Sequence, residues 1–177
     1  MISENRQNKA LVAVGEIGLD YKYSKIWDKQ LMAFSGMLRL AEKLDLPVII
    51  HSRGTTSQIV DMLPSYNVKK VLLHWFSNPI RVLSKVIENG YYITEGPPTA
   101  YSNGIREVIR RIPLTNLLTE TDGPVRFFKQ PFNGKRTTPA FIPTIVKAIA
   151  EIKKMDVATI AEQIIKNFEE FFEVKLN

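Results

Sequence analysis

Residues 46–77 read LPVIIHSRGTTSQIVDMLPSYNVKKVLLHWFS. Two short apolar runs, LPVIIH (46–51) and KKVLLHW (69–75), flank a segment at about 55–64 that reads as a helix. Apolar runs of this length, rich in valine and isoleucine and separated by a helix-length segment, mark buried parallel strands joined by a crossover. Pro47 stands at the start of its run, where a missing N–H is tolerated. Each run closes on a histidine, His51 and His74.

The same unit extends in both directions. ALVAVGE (10–16) is another apolar run, and residues 25–44 carry Ile26, Leu31, Phe34, Met37, Leu38, Ala41 and Leu44 at helical spacing. Downstream, 79–89 reads as a helix stopped by Gly90, a residue suited to a helix C-terminus. YYIT (91–94) and TNLLTE (115–120) read as the fourth and fifth strands, with a helix at about 102–111 between them. A Pro/Gly/Thr-rich loop covers 123–138, and two amphipathic helices fill about 139–154 and 157–172. The pattern predicts one α/β domain over residues 1–177 with about five parallel strands. Right-handed crossovers leave two architectures, an open doubly wound sheet or a (β/α) barrel. In both, the working face lies beyond the C-terminal ends of the strands. Glu16, His51, His74 and Asp122, each closing an apolar run, are therefore expected on one face.

Composition narrows the chemistry. The chain has 177 residues, 45% hydrophobic and 24% charged, with no cysteine, which excludes disulfides and thiolate metal sites. The absence of cysteine fits a reducing cytosol, and the expectation is a cytoplasmic protein. MISENRQNKA (1–10) lacks the apolar core of an export signal, and no apolar run approaches the roughly 18–20 residues that span a bilayer. A net charge of +6 favours acidic partners such as nucleic acid.

Glutamate, histidine and aspartate together are oxygen and nitrogen ligands suited to Zn, Mn, Co or Mg. Glu16 and His51 are 35 residues apart and His51 and His74 are 23 apart, each about one strand–helix unit. His74 and Asp122 are 48 apart, about two units. The competing reading makes each histidine a hydrogen-bonded structural residue and each carboxylate a helix cap or loop ion pair. A metal site of this donor set points to hydrolysis, with one ion or with two bridged by a carboxylate.

Five motifs carry a family resemblance. In order, GEIGLDY (15–21), PVIIHSR (47–53), LLHWFS (72–77), LLTETDGP (117–124) and GKRTTPAFIPTIV (134–146) resemble the signatures of TatD-type metal-dependent deoxyribonucleases. The resemblance extends to IIKNFEEFF (164–172). It implies a TIM-barrel fold of the metal-dependent hydrolases and a DNA nuclease, with 3′–5′ exonuclease activity typical of several members. By resemblance Glu16 bridges two divalent ions, His51 and His74 bind the second, and Asp122 binds the first and takes a proton from the attacking water. Arg53 either holds a phosphate or orients a strand end. Glu120 either orients a histidine or is a surface carboxylate, while Lys135 and Arg136 either neutralise substrate phosphates or form a solvated basic loop. Trp75 either stacks on a base or packs under a loop.

The chain also departs from the family. Trp75 and Asn78 replace a usual cysteine and glycine, and the opening His-x-His strand of the family is missing. MISENRQNKA resembles the tail of the helix before the Glu16 strand, so the barrel is expected to be incomplete at its N-terminus. The first ion then keeps only Glu16 and Asp122, and the second keeps Glu16, His51 and His74. An open edge at ALVAVGE is expected to invite pairing with another chain, giving a homo-oligomer. Two alternatives stay open, a non-catalytic relative that retains nucleic-acid binding and a hydrolase of another ester such as an aminoacyl-tRNA.

Overall fold

A computed structural model describes residues 11–77 and 80–176. Its five strands are β1 (Val14–Asp20), β2 (Val48–Arg53), β3 (Val71–Leu73), β4 (Tyr92–Glu95) and β5 (Leu117–Thr119). The helices are α1 (Trp27–Leu44), α2 (Thr56–Met62), α3 (Ile80–Glu88), α4 (Asn103–Arg111), α5 (Ile142–Lys153) and α6 (Val157–Phe172). All neighbouring strands pair in parallel, in the order β1-β2-β3-β4-β5. A doubly wound sheet reverses its strand order at a switch point. This sheet never reverses, so right-handed connections lay α1–α4 along one face, as in the wall of a (β/α) barrel. Residues 1–10 and Asn78, on which two of the sequence expectations fall, lie outside the described residues.

Register explains how core and site separate. Ile17 pairs with Ile50, Ile50 with Leu73, Leu73 with Ile93, and Ile93 with Leu117, a continuous apolar row across all five strands. Every member is at most 7% exposed, packed with Phe34, Leu38 and Ala41 of α1 and with Ile109 and Ile149 of the later helices. The spacing of the α1 trio gives that helix its single apolar stripe. Successive strand residues face opposite ways. The residues one step beyond this row, His51, His74 and Thr94, therefore emerge on the other face together.

The first strand differs from its sequence reading. It runs through Glu16 to Asp20, with an irregular register between Val14 and Ile17. Glu16 thus leaves from within the strand rather than closing it. Gly18 makes the tight pairing with β2 feasible, because a Cβ there would stand 1.9 Å from the His51 carbonyl oxygen. Among the described residues β1 has one paired neighbour, β2.

Helix α6 is pinned under the opposite, N-terminal ends of the strands. The fully buried Asn167 amide donates to the carbonyls of Leu114 and Leu117, at 2.7 Å each. Lys69 pairs with Glu173 at 2.9 Å, and the Tyr92 and Phe171 rings meet edge to face. Asp156 caps the helix by accepting the Thr159 N–H. No helix among the described residues is long and apolar enough to cross a membrane.

Candidate metal centre

Glu16 from within β1, His51 from β2 and His74 just after β3 come together, with one ligand atom from each inside a 4.8 Å group. His51 Nδ1 and His74 Nε2 face each other at 3.2 Å, and His74 Nε2 lies 3.4 Å from Glu16 Oε2. Ligands held about 2.0–2.1 Å from a tetrahedral ion stand roughly 3.3–3.4 Å apart. The two measured edges match that spacing, so the donor set fits a single divalent cation.

The outer nitrogens of both rings strengthen this reading. His51 Nε2 lies 3.2 Å from Asp20 Oδ2, and His74 Nδ1 lies 3.6 Å from Glu120 Oε2. A carboxylate beside one ring nitrogen holds the proton there and leaves the other as a lone pair, the arrangement that supports metal-binding histidines. Glu120 is fixed in turn by the Thr94 hydroxyl, which donates to Oε2 at 2.5 Å and accepts the Trp75 N–H at 2.9 Å. Asp20 lies inside the GEIGLDY motif yet carries no role in the sequence reading. A strand taken to end at Glu16 leaves Asp20 in a loop, whereas the observed strand points it at His51.

Charge agrees with geometry. The Glu120 carboxylate raises the His74 pKa above its ordinary value, outweighing the burial that lowers it, and Glu16 and Asp122 add to the rise. Burial pushes the Asp122 carboxyl up, with Glu120 and Glu16 adding like charge while the two histidines pull it down. Glu120 Oε1 is buried without a partner. Four carboxylates around two imidazoles leave an excess of negative charge that a cation relieves.

The surrounding cavity, about 540 Å³, is lined by Glu16, His51, Ser52, Arg53, His74, Trp75, Ser77 and Asp122. Asp122 therefore shares the cavity but stands outside the three-ligand group. Arg53 and Trp75 are on its wall. Lys135 and Arg136 are exposed on the 123–138 loop and do not line it. Trp75 and Asp122 both hold left-handed backbone, φ 44° and 46°. For residues other than glycine this conformation costs about 1–2 kcal/mol and persists where the surroundings impose it.

A parallel sheet wound in one direction, with histidines and carboxylates converging at its C-terminal edge, defines the class of barrel-type metal-dependent hydrolases. The chain belongs to the family described as TatD related DNase, which matches residues 2–173. It is 33% identical over 178 residues to the uncharacterized metal-dependent hydrolase YabD of Bacillus subtilis, covering 98% of this chain and 69% of that protein. It is 29% identical over 171 residues to the deoxyribonuclease TATDN3 of Homo sapiens, covering 94% and 61%. The crystal structure of YjjV, a TatD homolog from Escherichia coli K12, superposes with a TM-score of 0.86 at 28% identity, covering 98% and 70%. The chain spans about two thirds of the length of these relatives.

Glu120→Gln tests the support of His74. It keeps the shape and removes the charge beside Nδ1, so Mn or Zn affinity should fall about 10–100-fold with little change in fold. Titration calorimetry reads the affinity, and unchanged binding would mean that Glu120 does not act on the ligand.

Proposed function

We propose that this protein is a divalent-metal-dependent phosphodiesterase acting on DNA, with one ion held by Glu16, His51 and His74. The observation that carries the reading is the pair of inward histidine nitrogens, each backed on its far side by a carboxylate. Three protein ligands leave an open coordination position, as catalytic rather than structural zinc sites do. Zn, Mn, Co and Mg all suit the donor set. A divalent ion bound there supplies an acidified water and a positive charge where negative charge develops.

The remaining work falls to side chains. Asp122, its carboxyl raised above the usual range by burial, accepts the proton released as water attacks. Arg53 binds a phosphate oxygen and holds the backbone of the substrate in register. The net charge of +6 draws a polyanion toward the cleft. Glu16 would help hold one ion with the two histidines and, if a second bound beside Asp122, would serve both. The edge of β1, which pairs only with β2 among the described residues, gives the chain a surface for self-association.

The test is end-labelled single-stranded DNA incubated with protein loaded with Mn or Zn. Shortening of the label that stops on chelation supports the reading. Asp122→Asn should keep its metal and lose about 10²–10⁴-fold in turnover, the range of a general base. Release of an aminoacyl ester without DNA cleavage would reassign the substrate. No turnover of either by metal-loaded protein would mark a binding relative.

A further inference from the structure

A second cavity, about 450 Å³, opens beside the first, between the chain after β3 and the start of α4. Trp75 and Ser77 line both, so the two adjoin. Beyond that shared wall the second cavity is mainly apolar, lined by Ile80, Pro98, Gly104 and Ile105. Its volume is within the range of ligand pockets.

Trp75 is held firmly at the junction. Its backbone N–H donates to the Thr94 hydroxyl that also fixes Glu120, and its ring lies 5.7 Å from that of Phe127. Two polar groups on the rim are already engaged. Ser102 caps α4, and Glu107 pairs with Arg110 and Arg111. The space offers a largely apolar seat with an aromatic wall, and Ser77 stands where it meets the metal-site cavity.

Resting on the phosphodiesterase reading, we infer that this cavity receives a nucleobase next to the cleaved bond, stacked on Trp75 and accepted without regard to sequence. A base hangs one sugar away from its phosphate, so two cavities that share Trp75 and Ser77 can take the two parts of one nucleotide. Aromatic stacking on a base is sequence-tolerant because every base has a π-face.

The chain has two tryptophans, so a Trp27→Phe background leaves Trp75 as the sole indole reporter. The probes are a deoxydinucleotide and the same compound with one nucleoside abasic, each titrated into Mn-loaded protein. Trp75 fluorescence should be quenched by the base-bearing compound and not by the form lacking the base at the seat. In hydrolysis, the abasic substrate should show a KM raised roughly 10-fold with kcat little changed. Trp75→Ala should raise the KM of the base-bearing substrate to the abasic value.

Gly104→Leu gives an independent test. Gly104 lines the cavity and a Cβ there meets nothing nearer than Ser102 Oγ at 4.0 Å, so the backbone accepts a longer side chain that takes up cavity space. It should abolish the same discrimination with Trp75 in place. Equal KM for both substrates, with hydrolysis intact, overturns the inference and leaves the hydrolase reading standing. Failure to hydrolyse either removes that reading, and quenching by the base-bearing probe alone still upholds the base seat. Equal quenching by both probes, or by neither, overturns the seat.

Discussion

Glu95→Leu should raise the melting temperature at pH 8 by roughly 4–8 °C, about 2 kcal/mol for a chain of this size. Glu95 closes β4 two residues beyond Ile93, which turns its side chain to the helix-covered side of the sheet. It is 0% exposed, and neither carboxylate oxygen has a partner. Burial pushes its carboxyl well above the usual 4.5, and Glu120 adds like charge. The sign follows from proton counting. Above about pH 4.5 the unfolded chain has released a proton that the folded chain still holds, so stability falls as pH rises toward the folded pKa, by at most about 1.4 kcal/mol per unit. Leucine has no proton to lose and leaves no oxygen unpaired. Thermal melts from pH 5 to 8 should show this component of the slope in the parent and not in the variant. A variant less stable than the parent at pH 8, or one with the same slope, would refute the account.

His74→Ala should lower metal affinity by more than about 100-fold, the upper end for changes that only disturb the support of a ligand. It deletes the nitrogen that lies 3.2 Å from His51 and 3.4 Å from Glu16, leaving two ligands where three met. Hydrolysis should fall with the metal. A readout independent of activity is thermal stabilisation by the ion. At an ion concentration 100 times the dissociation constant, binding adds about 2.7 kcal/mol to the parent, roughly 5–10 °C, and that increment should vanish in the variant. Glu16→Gln should behave the same way with the core intact. Undiminished metal uptake by both variants would rule out the proposed ligand set.

The strand–helix alternation was legible because buried parallel strands write themselves as short apolar runs, and those at 46–51 and 69–75 lie over β2 and β3. What the sequence hid was where strands stop. ALVAVGE loses its apolar character at Gly15, but backbone pairing with β2 carries β1 four residues past Glu16. Pairing is a property of two chain segments, and one segment read alone does not record it. Asp20 was missed for that reason, and Glu95 for a related one, since YYIT reads as complete at Thr94 and its next residue as loop. The spacing of Glu16, His51, His74 and Asp122 was visible, whereas the closer grouping of three, with Asp122 set apart in the same cavity, depended on side-chain directions.

The row from Ile17 to Leu117 has an evolutionary corollary. His51, His74 and Thr94 each follow a member of that row by one position, so a single-residue insertion or deletion within β2, β3 or β4 would exchange a site residue for a core residue. Such a lineage would lose its fold in the same step as its chemistry. Descendants that drop the activity are therefore confined to point substitutions, and their strand lengths should remain a record of the ancestral centre after its ligands are gone.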